Sequence, residues 1–154
     1  VTRRELFALL AAVAPLAATR AAPPAPAIAV WRTPTCGCCG AWVRHLEAAG
    51  FRTEVTVQDD LLPIKRRYGI TPALESCHTA VVAGYVIEGH VPAADIARLL
   101  RERPAGVQGL AVPGMPAGSP GMEGPAAEPY ATLALRGDGT TAVFARHEPA
   151  PVPR

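Results

Sequence analysis

The chain predicts an α/β fold, and three observations predict it. Apolar residues change their period along the sequence, from short runs and strict alternation to helical spacing and back again. A Cys-x-x-Cys spacing, Cys36 to Cys39, opens a helical stretch directly after an apolar run. A Cys77-His78 pair stands immediately before two further apolar runs. The 154 residues, 49% hydrophobic and 18% charged, suit one small domain with some extra chain. Seventeen prolines and fourteen glycines exceed the needs of such a domain. They cluster at 23 to 26, 104 to 129 and 149 to 153, which assigns the excess to linkers and tails.

Residues 1 to 22 read as an export signal. Thr2-Arg3-Arg4-Glu5-Leu6-Phe7 is a twin-arginine pattern, followed by an apolar stretch, Ala8 to Ala18, and small residues. That stretch is too short to span a bilayer, and it has no polar face that would make it an amphipathic helix. Cleavage is expected after Ala21 or Ala22, with Ala27 as the other option. Removing residues 1 to 21 takes away three arginines and one glutamate and leaves basic and acidic residues equal in number. The mature chain then has no basic excess to suggest nucleic acid, and no later segment is apolar for long enough to cross a membrane.

After a linker at 23 to 26, a first domain is expected over 27 to 103. Ala27-Ile28-Ala29-Val30-Trp31 is a candidate buried strand. From about Gly37 to Ala49 the pattern turns helical, with Cys39, Trp42, Val43 and Leu46 on one face and Gly50 as the stop. Phe51 to Val57 alternates as a strand does. Asp59 or Asp60 caps a short helix whose Leu61, Ile64 and Tyr68 share a face, with Pro63 in its first turn and Gly69 at its end. Thr79 to Ala83 and Tyr85 to Glu88 form a hairpin around Gly84. Pro92 opens a last helix with Ile96, Leu99 and Leu100 inward, ended by Pro104.

That order, βαβαββα, is the thioredoxin-like arrangement, a three-layer fold. Its Cys-x-x-Cys follows the first strand because the free N–H groups and dipole of a helix start favour a thiolate there. Cys39 points to the core, Cys38 is turned by roughly 100° about the helix axis, and Cys36 precedes the helix. In such a fold the segment before the hairpin packs against these cysteines and carries a cis-proline. Cys77-His78-Thr79 fits that position and brings a fourth thiol to the other three; Pro72 as the cis-proline is the alternative, and it displaces Cys77.

Four facing thiols suggest three chemistries. Soft thiolates select Cu(I), zinc or iron–sulfur. Zinc prefers paired C-x(2-4)-C units, which C-x-C-C fits poorly because adjacent cysteines diverge, whereas one thiolate can bridge two copper ions. Disulfide exchange between Cys36 and Cys39, with Cys38 or Cys77 as resolving thiols, is the remaining option.

At these residues the chain resembles a known family. Cys36-Gly-Cys-Cys-Gly-Ala-Trp42, Ser76-Cys-His-Thr-Ala80, Gly84-Tyr-Val-Ile-Glu-Gly-His-Val-Pro92 and Val112-Pro-Gly-Met-Pro-Ala-Gly-Ser-Pro-Gly-Met-Glu123 are similar to the CopG-type periplasmic metal-binding proteins. The resemblance implies a thioredoxin-like fold, export to the periplasm, copper binding through cysteines and a role in copper resistance. By position it assigns Cys36, Cys38, Cys39 and the Cys77-His78 pair as the copper site.

Met115 and Met122, in a Gly/Pro-rich loop with no obvious core work, are soft thioethers suited to Cu(I) and are candidate second-site ligands; packing filler is the other reading. His78 reads either as a ligand or as a hydrogen-bond donor to a thiolate. His90 reads as a structural cap, with ligation as the second reading. His45 is expected on the surface, about 10 Å along the helix axis from Cys38, and His147 in a solvated tail. Trp31 and Trp42 read as core flanking the site. Residues 104 to 129 are expected to form an irregular ordered wrap, 130 to 146 an extra hairpin that extends the sheet or packs as an appendage, and 147 to 154 a tail.

The resulting expectation is a periplasmic copper protein that holds more than one Cu(I) and stores it, passes it on or cycles it with Cu(II). Its expected partners are a copper exporter, a chaperone or a multicopper oxidase. The rival reading is a thiol-disulfide oxidoreductase acting on proteins.

Overall fold

The computed structural model describes residues 26–149. The expected export signal, most of the linker and the last residues of the tail lie outside the described residues. Seven strands and three helices follow in the order β1 Ile28–Arg32, α1 Gly37–Ala48, β2 Thr53–Val57, α2 Leu62–Arg67, β3 His78–Val82, β4 Tyr85–Gly89, α3 Ala93–Glu102, β5 Val107–Val112, β6 Tyr130–Arg136 and β7 Thr141–His147. The βαβαββα order expected from the sequence is therefore present from β1 to α3. All seven strands join one mixed sheet in the order β2-β1-β3-β4-β5-β6-β7.

Local chemistry explains the boundaries. The Cys36 sulfur accepts the Cys39 N–H at the start of α1, satisfying one of the free donors of the first turn. Asp60 does the same for α2, its carboxylate accepting the Leu62 N–H at 2.9 Å. The β3–β4 turn places Ala83 and Gly84 both at positive φ, as a two-residue hairpin of the twisted sheet requires. Pro72 is not a cis-proline, since no peptide bond among the described residues is cis. Cys77 stands directly before β3.

The sheet separates two packed layers. Trp42, Val43 and Leu46 of α1 and Ala93, Ile96 and Leu99 of α3 bury against Ile28, Val30, Ala80, Val82, Ile87, Leu110 and Val112. Each large apolar side chain buried in this way contributes about 1.5–3 kcal/mol. The second cluster uses the strand residues of opposite parity, Val86, Ala111 and Leu135, with Ile70, Tyr68 and Leu74 from the α2 end.

Three expectations are corrected. The segment 104 to 129 is not wholly irregular, because β5 runs inside it and pairs parallel to β4 and antiparallel to β6. Val107-Gln-Gly-Leu-Ala-Val112 is buried from Gly109 onward, so it lacks the alternation that marks a half-exposed strand. Gly109 is required there, as any Cβ would overlap the Val86 carbonyl. The extra hairpin extends the sheet as β6 and β7. His147 is the last residue of β7, not part of a solvated tail: its Nε2 lies 2.9 Å from Asp95 Oδ2 of α3 and its ring stacks on Tyr130. His45 is not a simple surface residue either. Its Nε2 accepts the Ala93 N–H at 3.0 Å, which ties α1 to the first turn of α3.

Candidate metal centre

The N-cap and first turn of α1 and the segment before β3 bring all four cysteines together. Their Sγ atoms lie within 4.8 Å of one another. Cys36 and Cys39 are joined by a disulfide, with Cα atoms 5.4 Å apart, while Cys38 and Cys77 are free. The Cys38 sulfur lies 3.5 Å from that of Cys36 and 3.7 Å from that of Cys77. Cys39 is buried and its sulfur is 3.6 Å from the Cys77 carbonyl oxygen. The expected facing of Cys77 against the helix start is thus present.

Two imidazoles complete the cluster. Cys77 Sγ is 3.0 Å from His90 Nε2 and 3.4 Å from His78 Nδ1, so Cys77, His78 and His90 form a second group of converging donor atoms. His90 Nδ1 lies 2.8 Å from the Pro120 carbonyl. A carbonyl only accepts, so Nδ1 carries the proton and the Nε2 lone pair faces Cys77. His90 is consequently placed at the cluster as well as holding the loop. His78 is fully buried, packs on Trp42 with ring centroids 4.3 Å apart, and its Nε2 has no hydrogen-bond partner. The nitrogen that faces the Cys77 sulfur is the other one, Nδ1, so it is Nδ1 that a cation at Cys77 would meet.

The electrostatics favour neutral imidazoles and a protonated Cys77. Burial, reinforced by the neighbouring His90, pulls the His78 pKa down to about 3, and burial also lowers that of His90. Burial and the adjoining Cys38 push the Cys77 thiol up to about 12. A soft cation placed here would replace the Cys77 proton, which otherwise stays on the sulfur at neutral pH. This donor set, thiols and neutral imidazoles in a half-buried site, is suited to Cu(I) or zinc and poorly suited to hard cations.

The loop from 113 to 123 closes the site. Gly121, at φ +88°, lies where a Cβ would come 2.7 Å from the Cys38 carbonyl oxygen and 2.9 Å from the Trp42 nitrogen. Met122 follows it directly and is half-buried, whereas Met115 is 53% exposed. The Gly121 N–H donates to the Glu123 carboxylate at 2.9 Å, which lowers the Glu123 pKa, as do the neighbouring His45 and His90. Trp42 donates its indole N–H to the Val91 carbonyl at 2.9 Å and is core beside the site, as expected; Trp31 is half-buried and lies near Tyr68.

Sequence reasoning did not assign Glu123, Gly121 or a buried pair, Lys65 and Glu88, that lies behind Cys77. For Glu88 and Glu123 the signal was their place in the quoted motifs; for Lys65 there was none.

A family model described as "Protein of unknown function, DUF411" matches residues 74–122. No curated protein sequence matches the chain. Among solved structures, form 2 of copper resistance protein CopG is 46% identical, covers 80% of this chain and 98% of its own, and superposes with a TM-score of 0.75. Form 1 of the same protein is 44% identical, covers 82% and 99%, and has a TM-score of 0.75.

Proposed function

The chain belongs to the copper resistance protein CopG family, and on that premise we propose that it is a periplasmic copper-binding protein of copper resistance. Copper, as Cu(I), is its cargo. Once a thiol reductant has opened the Cys36–Cys39 disulfide, Cys36, Cys38, Cys39 and Cys77 hold it, with His78 and His90 completing coordination at Cys77 and Met122 on the loop beside them. The single observation that carries this reading is the convergence of four sulfurs and two imidazoles, in two donor groups that share Cys77. A shared thiolate suits more than one ion, because sulfur bridges copper readily. Met115 is the weaker second-site candidate, being exposed on the loop. The cargo would pass to a copper exporter, chaperone or multicopper oxidase.

Anaerobic titration of the fully reduced protein with Cu(I), read as bound copper by elemental analysis, tests the proposal. More than one copper per chain, lost in part in Cys77→Ser, is the expected result; less than one copper per chain would sink it.

One observation favours a second reading. Cys36 and Cys39 are bridged and Cys38 sits 3.5 Å from Cys36, a geometry for thiol–disulfide exchange. Disulfide reductase activity that survives in both Cys38→Ser and Cys77→Ser would favour an oxidoreductase acting on proteins.

A further inference from the structure

On the face of the sheet away from α1 and α3, a charged pair is buried where an apolar contact would be expected. Lys65 of α2 and Glu88 of β4 are both buried, and they form an ion pair. Such a pair is weak grounds for stability, since desolvating both charges offsets most of their attraction. Its hydrogen bonds point to a different role. The Lys65 ammonium donates to the Ser76 carbonyl at 3.0 Å and to the Thr79 hydroxyl at 3.2 Å. The Glu88 carboxylate accepts the Ser76 N–H at 2.7 Å and the Thr79 hydroxyl at 2.6 Å. Both backbone groups of Ser76 are therefore held by one ion pair, and Thr79 is held on the other side of Cys77-His78.

Ser76 also anchors the closing loop. Its hydroxyl donates to the Gly114 carbonyl, and the Gly114 N–H donates to the Glu75 carbonyl at 2.9 Å. Gly89, next to His90, makes room for this: a Cβ on it would collide with the Ser76 side chain. Residues 75 and 76 are thus a junction between the ion pair, the Cys77 sulfur, the His90 strand and the loop that carries Met115 and Met122.

We propose that Lys65 and Glu88 are positioning residues that clamp Ser76 and so fix the Cys77 sulfur among the other donors of the copper site. The inference deepens the copper reading and rests on it for its consequence, but the clamp itself is readable without metal. Loss of the clamp frees residues 75 to 77, so Cys77 leaves its half-buried position while the rest of the domain stays folded.

The test uses the oxidised, metal-free protein, in which Cys38 and Cys77 are the free thiols. Their alkylation by iodoacetamide is followed peptide by peptide, with Cys38 in the same molecule as the reference. The variants are Lys65→Met, Glu88→Gln and the apolar pair Lys65→Met/Glu88→Leu, which removes both charges and avoids stranding one of them. A rise of about tenfold in the Cys77-to-Cys38 ratio is expected in the double variant, the scale of one lost buried hydrogen bond. Its thermal midpoint is expected to lie above that of Lys65→Met. An unchanged ratio in the folded double variant would overturn the proposal, and so would equal acceleration of both thiols, which reports only general loosening. Cu(I) binding, measured in parallel, separates the two readings. A raised ratio in a protein whose wild type binds no copper leaves the clamp standing and removes the copper function.

Discussion

His90 presents an unprotonated Nε2 to the Cys77 sulfur at 3.0 Å because its Nδ1–H is committed to the Pro120 carbonyl at 2.8 Å. The imidazole therefore joins the open end of the β3–β4 hairpin to the loop after β5, thirty residues later. Each contact fixes the next, since the Pro120 carbonyl decides the tautomer and the tautomer decides what faces the sulfur.

Replacing His90 by Phe keeps the ring volume and removes both nitrogens. The variant should lose about 1 kcal/mol of stability for the Pro120 hydrogen bond and part of its Cu(I) capacity. His90→Gln, which can still donate to a carbonyl, should regain more stability than capacity. Urea unfolding and bound-copper analysis of the two variants check this, and equal capacity in all three proteins would remove His90 from the site.

The metal-free protein should become less stable as pH falls below about 6.5. His78, His90 and His45 all have folded pKa values below the unfolded value, each chiefly through burial. In that window the unfolded chain binds protons that the folded chain refuses, so stability rises with pH. The contribution is complete above the unfolded pKa and is lost as pH drops toward the folded one, about 3 for His78. Unfolding free energies at pH 7, 6, 5 and 4 should decline in order. His78→Phe should flatten the slope, and an unchanged slope would mean that folded His78 takes up its proton as readily as the unfolded chain does.

Copper binding should strengthen with pH. The Cys77 thiol, pushed up to about 12 by burial and by Cys38, keeps its proton until a cation replaces it. Each proton released makes the apparent affinity rise about tenfold per pH unit below the thiol pKa. Competition titrations at pH 6 and pH 8 should give a steeper dependence for the wild type than for Cys77→Ser, by about one proton. Identical slopes would show that Cys77 does not bind copper as a thiolate.

Gly121→Ala tests the closing loop. The new Cβ meets two constraints at once, a φ of +88° and a distance of 2.7 Å to the Cys38 carbonyl oxygen. The backbone conformation alone costs about 1–2 kcal/mol for a residue with a side chain, and the collision adds to it. A lower thermal midpoint with faster alkylation of Cys38 is expected. An unaltered Cys38 rate would mean that the loop does not cover this sulfur.

These cases divide according to what a sequence can express. The Cys36 to Trp42 stretch was legible because both its chemistry and its helical spacing are local, and Cys77-His78 because it directly precedes an apolar run. β5 was hidden by burial on both faces, which erases alternation. His90 was read first as a cap because its role depends on Pro120, thirty residues later. Lys65 looked like one more base at the end of a short helix. Only the approach of α2 to β4 shows that it is buried against Glu88. The copper reading came from the resemblance together with the thiol spacing, whereas the shared position of Cys77 between two donor groups needed the three-dimensional arrangement.

The hairpin β6–β7 is tied to α3 at two polar points, Arg98, which donates to the Phe144 carbonyl at 3.2 Å, and Asp95, and the second gives a last prediction. Asp95 Oδ2 accepts the Thr132 hydroxyl at 2.6 Å and His147 Nε2–H at 2.9 Å, with Thr132 fully buried. Asp95→Ala removes both bonds and leaves the buried hydroxyl with only His147 Nε2, 3.1 Å away, a loss of about 1–3 kcal/mol. Thr132→Val alone leaves Asp95 with His147 and should cost less. The double variant no longer contains the hydroxyl that Asp95→Ala deprives of its acceptor, so its loss should fall short of the sum of the single losses by about 1 kcal/mol. A strictly additive cycle in urea unfolding would mean that the Asp95–Thr132 contact contributes nothing to holding the hairpin on α3.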